Sequence, residues 1–137
     1  MTSIQALVGF AAWTLVLVVL VFAWRGIELL RGRKADSWTR GAAIDSPGLV
    51  KRIEHAHLNC LENLPVFAVI VLSAAATGKL ALTTPYASCV LYARLCQTVV
   101  HLIGVNHWLV MLRAGFWGAQ LVLFFYMIYG LLGGHAA

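Results

Sequence analysis

Apolar residues fill four long stretches of the chain, at about residues 4–30, 58–82, 85–107 and 114–133. Each reaches the about 20 predominantly apolar residues that a bilayer-spanning helix needs. The polar stretch RGRKADSWTRGAAIDSPGLVKRIEH separates the first two. The pattern predicts an all-α integral membrane protein, one four-transmembrane-helix bundle over residues 1–137, with helices at about 4–34, 48–82, 85–107 and 112–133. The first apolar run has no basic segment before it, is too long for a signal-peptide core and lacks a small-residue cleavage site, so it reads as a retained helix. Pro47 belongs to a turn in the first loop. Pro65 is expected to distort helix two by removing a backbone hydrogen bond, and Pro85 to begin helix three, where its missing N–H costs little.

Composition narrows the class. The chain is 61% hydrophobic and only 11% charged, where a soluble domain carries about a quarter charged residues. The net charge of +5 suits loops that meet anionic membrane lipids and calls for no nucleic acid. Arg31, Arg33, Lys34, Arg40, Lys51 and Arg52 crowd the first loop and its edges, whereas the second link offers Lys79. By the positive-inside rule the first loop and the third, near Arg113, face the cytoplasm, with both termini on the opposite side.

Polar residues inside the spans carry the chemistry. In KRIEHAHLNCLENLPVF, residues Arg52, His55, Asn59 and Glu62 are spaced +3, +4 and +3, which places them on one face of a helix with about 3.6 residues per turn. Helix three repeats the device with Arg94, Gln97 and His101 at +3 and +4. Lipid cannot satisfy such faces, so they must look at protein or at a wet cavity. A lone charge at the depth of Arg94 costs on the order of 3 kcal/mol, and Glu62 is its expected partner. That pair, with Asn59, would suffice to bind two helices together. It leaves the donors of Arg52, His55, Gln97, His101 and Arg113 in surplus, and the surplus points to an anionic, polar ligand.

Other features have plainer readings. His55 and His57 diverge on a helix and, with His101 and His107, make no persuasive metal set. Cys60, Cys89 and Cys96 follow no metal spacing and are expected as buried packing thiols. Arg25 and Glu28 are expected to pair at i,i+3, and Arg31, Arg33 and Lys34 to meet lipid headgroups.

The pattern Arg52-x-x-His55-x-x-x-Asn59-x-x-Glu62-x-x-Pro65, the four-helix layout and the arginine in helix three resemble the MAPEG family, membrane-associated proteins of eicosanoid and glutathione metabolism. The resemblance covers essentially the whole chain, and HLNCLENLPVF is its most specific part. It implies a homotrimer with glutathione sites between adjacent subunits near the cytoplasmic face, and an arginine that stabilises the glutathione thiolate. On this resemblance Arg113 is the thiolate-stabilising residue, and Asn59 and Glu62 are glutathione contacts. Arg52 matches the first arginine of the helix-two RxxR stretch, Arg94 the structural arginine of helix three, and Arg31 the basic residue that reaches across from a neighbouring chain. His55, Gln97 and His101, which share the polar faces of helices two and three, complete the expected glutathione-binding set. Three departures stand out. His55 replaces a second arginine, Gln97 and His101 occupy positions that are often His or Tyr, and Ala114 stands where the family's prostaglandin E synthase has a serine.

The expected function is therefore a membrane glutathione transferase or peroxidase acting on a lipophilic electrophile or lipid hydroperoxide. Because the family includes a binding protein without glutathione chemistry, a non-catalytic lipid-binding scaffold is the alternative. A transporter finds little support, since no inverted repeat or broken-helix pair occurs.

Overall fold

A computed structural model of the chain describes residues 1–38 and 46–133; Arg40 and the last four residues of the tail lie outside the described residues. Helix α1 spans Ser3–Leu30, α2 Gly48–Ala76, α3 Leu80–Ile103 and α4 His107–Leu131, with a short 3₁₀ turn at Ala35–Trp38. All four are long and apolar enough to cross a membrane. Four spans were expected; their ends differ, for local reasons.

Helix α1 stops at Leu30 rather than near residue 34 because Gly32 takes φ +90°, and the Arg33 N–H turns back to the Glu28 carbonyl at 3.0 Å. Helix α2 ends by the same device: Gly78 at φ +70° lets the Lys79 N–H reach the Ala74 carbonyl at 2.8 Å. Only glycine adopts this left-handed conformation at little cost, which makes it the common residue just past a helix end. Helix α3 consequently begins at Leu80, and Pro85 lies inside it rather than at its start. Helix α4 begins five residues before the expected 112, because the Asn106 side chain caps it by accepting the Leu109 N–H at 2.9 Å. That earlier start moves Arg113 from the helix's edge into its second turn.

The helices run alternately up and down. Helix α3 is the most enclosed, packing on α1, α2 and α4, while α4 touches chiefly α3 and leaves most of its surface free. The core stacks Phe67 between Phe10 and Phe124, with both ring-centroid separations 5.9 Å. Ala6, Ala56, Ala74 and Ala87 are buried around it; small residues let membrane helices approach closely, since lipid supplies no hydrophobic drive between them. Buried hydroxyls join α1 to α3, with Ser3 Oγ and Thr83 Oγ1 2.8 Å apart. Among the thiols only Cys60 is buried. Cys89 and Cys96 are exposed, because with Tyr92, Val99 and Ile103 they form the outward stripe of α3.

Arg25 pairs with Glu54 of α2 at 2.6 Å and not with Glu28, which is instead held by Arg31 at 3.0 Å and Arg33 at 3.3 Å. The helix end explains the exchange: the turn at Gly32 folds Arg31 and Arg33 back over Glu28, and Trp38 lies against Trp24 with centroids 5.9 Å apart. Glu54→Ala is expected to lower stability by about 1 kcal/mol, because the Arg25–Glu54 pair is only partly buried and ties α1 to α2. Thermal unfolding in detergent at low and high salt checks this; the deficit should shrink as salt screens the pair.

Candidate functional site

One polar cleft opens at the end of the bundle where α2 and α4 begin and α3 ends. It has two adjoining lobes. The larger, about 420 Å³, is lined by His55, Leu58, Asn59 and Glu62 of α2, His101 of α3, Val105 of the following link, and Val110 and Arg113 of α4. The smaller, about 280 Å³, shares Asn59, Glu62, Val110 and Arg113, and adds Gln97, Ala114 and Trp117. Helical spacing explains the convergence. The +4 and +3 steps of α2 and the +4 step of α3 each align polar side chains, and the early start of α4 brings Arg113 over both.

Six of the nine predicted site residues thus meet in one place: His55, Asn59, Glu62, Gln97, His101 and Arg113. The His55 and His101 ring centroids are 6.1 Å apart. His101 is buried, and its Nδ1 has no hydrogen-bond partner among the described residues. His57 diverges from His55 and turns toward α1, with Nδ1 3.1 Å from the Thr14 carbonyl oxygen.

The other three residues stand elsewhere. Arg52 Nε donates to the Leu102 carbonyl at 3.0 Å, tying the start of α2 to the end of α3. Arg31 is held by Glu28 of its own helix, its side chain largely exposed. Arg94 departs furthest from expectation: it forms no ion pair with Glu62. The residue is 1% exposed, its Nε and Nη2 have no hydrogen-bond partner among the described residues, and its Cζ lies 5.3 Å from the Phe10 ring centroid. The long side chain turns inward toward α1 at the crowded α1–α2–α3 junction, whereas Glu62 is exposed and turns into the cleft. A cation over an aromatic face away from water gains about 2 kcal/mol, which offsets part of the burial cost without a carboxylate.

The structure adds two polar residues to the neighbourhood of the site. Asn63 Nδ2 donates to Gln120 Oε1 at 3.3 Å, and Gln120 Nε2 donates to Gln97 Oε1 at 2.9 Å. All three side chains are buried. The signals were present in the sequence. Asn63 stands four residues after Asn59, and Gln120 is a single polar residue within the apolar run of α4; a polar residue inside a membrane span is costly unless it has a partner.

A family model for MAPEG matches residues 3–133, nearly the whole chain. The chain belongs to the MAPEG family. The family includes glutathione transferases and peroxidases as well as other members. No curated protein and no solved structure matches the chain. Within this MAPEG chain, Ala114 lines the smaller lobe beside Arg113, so a methyl group stands at that point and no hydroxyl is offered there.

Proposed function

We propose that this MAPEG protein is a membrane glutathione transferase, with reduction of lipid hydroperoxides open to the same site. The observation that carries the reading is the meeting of Arg113 and Glu62 in one cleft with Asn59, Gln97 and two histidines. The donor set fits glutathione, which has two carboxylates, an α-amine and a thiol. The carboxylates suit guanidinium, imidazole and amide donors, and Glu62 is the carboxylate that suits the amine. Glutathione supplies a thiol whose ionised form is the nucleophile.

Arg113 would favour that ionised form, as a nearby cation does. The effect is stronger beside an apolar lining, which Leu58, Val105, Val110 and Trp117 supply. A lipophilic electrophile or hydroperoxide can enter laterally, since the outer faces of α2 and α4 carry exposed Leu61, Val66, Met111 and Trp117. The same unpaired faces support a homotrimer, in which Arg31 of a neighbouring copy would supply the cation that this chain's own Arg31 does not bring to the cleft. The basic residues gathered at this end of the bundle support a cytoplasmic orientation of the cleft.

A second reading is favoured by an apolar groove of about 540 Å³ between α2 and α4, lined by Pro65, Val66, Val69, Ile70, Ile128 and Leu131 among others. It suits an acyl chain and hence a lipid-binding scaffold. Ultraviolet difference absorbance of the purified protein titrated with glutathione separates the two. A saturable thiolate signal at neutral pH is expected of the transferase. Absence of thiolate, with glutathione failing to bind by calorimetry, would move the scaffold to first place.

A further inference from the structure

The three buried amides beside the cleft have a fixed sense. Gln120 Nε2 lies 3.0 Å from the Phe116 carbonyl oxygen one turn earlier in α4. A backbone carbonyl can only accept, so the amide of Gln120 must present its NH₂ there. The same NH₂ faces Gln97 at 2.9 Å, which requires the oxygen of Gln97 at that contact. The Gln97 NH₂ is then turned away from Gln120, and Gln97 lines the smaller lobe of the cleft with Asn59, Glu62 and Arg113. On the other side, Gln120 Oε1 can only accept, so Asn63 must donate to it, at 3.3 Å. One backbone carbonyl thereby sets all three side chains. Gln120 is fully buried and Asn63 and Gln97 nearly so, so water does not compete for these contacts.

We infer that Gln120, braced by Asn63, is a positioning residue that holds Gln97 with its NH₂ presented to the cleft as a donor to an oxygen of the bound thiol ligand. The inference rests on the glutathione reading of the cleft and adds residues outside it. Without Gln120 the Gln97 amide can turn over and offer its oxygen, or leave the cleft.

The test is calorimetric titration of the full-length protein in detergent with glutathione, for Gln97→Met, Gln120→Met and the double variant. Gln97→Met should weaken binding roughly tenfold, the effect of one lost hydrogen bond at a nearly buried amide. Gln120→Met should weaken it several-fold, and the double variant should bind no more weakly than Gln97→Met alone, since residues that act as a unit are non-additive. A merely structural role for Gln120 would give the product of the two single losses, and that result overturns the inference. Should Gln120→Met fail to fold, Gln97→Glu carries the test. It keeps an acceptor toward Gln120 and puts an oxygen where the NH₂ stood, so it should bind more weakly than Gln97→Met; equal or tighter binding overturns the inference. Failure of the native protein to bind glutathione overturns the functional reading, and the proposed role of Gln120 falls with it. Native binding with multiplicative losses sinks the positioning role alone.

Discussion

Arg113→Ala is expected to abolish the thiolate signal on glutathione titration and to lower kcat/KM by about a hundredfold or more, about 3 kcal/mol of transition-state stabilisation. The size follows from where the residue stands. Arg113 borders both lobes of the cleft, and among the described residues no Lys or other Arg lines either. A thiolate in this cleft gains from such a cation, because a nearby positive charge favours the ionised form. Arg113→Lys should retain part of the signal, since it keeps the charge but loses the planar fork of donors. The substitution should leave the fold intact, because Arg113 is half-exposed and makes no ion pair within the chain among the described residues. Thiolate absorbance, steady-state kinetics with a lipophilic electrophile and a melting curve, measured together, check the result. An unchanged thiolate signal in Arg113→Ala would overturn the role proposed for Arg113.

Glu62→Gln and Arg94→Met should part company, although both residues were expected to belong to one ion pair. Glu62→Gln should change stability by no more than about 0.5 kcal/mol, since its carboxylate is exposed to the cleft and forms no ion pair among the described residues. On the proposed function it should weaken glutathione binding by tenfold or more, through loss of the charge assigned to the ligand's amine. Arg94→Met should do the reverse, binding glutathione normally and unfolding at the same or a higher temperature. Replacing buried charges with apolar side chains of similar volume is often neutral or stabilising by about 1–4 kcal/mol, and two of this guanidinium's nitrogens have no partner to lose. A true Glu62–Arg94 pair would give the opposite pattern: either single change would cost about 3–5 kcal/mol by stranding the other charge. Thermal unfolding in detergent together with calorimetric titration decides between them.

Much of this was legible in residue order. Four apolar runs predicted four spans, because the bilayer imposes a minimum helix length and leaves no water for unpaired backbone. The +3 and +4 spacing of polar residues on α2 and α3 placed His55, Asn59, Glu62, Gln97 and His101 on shared faces, and those faces do meet in one cleft. The helix ends were less legible, since they rest on single residues: Gly32 and Gly78 with positive φ, and Asn106 as a cap.

The sequence by itself determined which faces of α2 and α3 are polar, because a helix repeats at a set angle whatever surrounds it. It could not say which neighbour each polar side chain would meet. Arg94 and Gln97 occupy one stripe of α3 only three residues apart, yet Arg94 turns to the ring of Phe10 on α1 while Gln97 meets Gln120 on α4. Helix α3 touches three other helices, and a long side chain reaches whichever lies at its own level. Only the packing of the four helices settled that Arg113 would overlook both lobes of the cleft and that Asn63, Gln120 and Gln97 would join across three helices. Such contacts depend on the distance and rotation between helices, which no periodicity within a single helix contains.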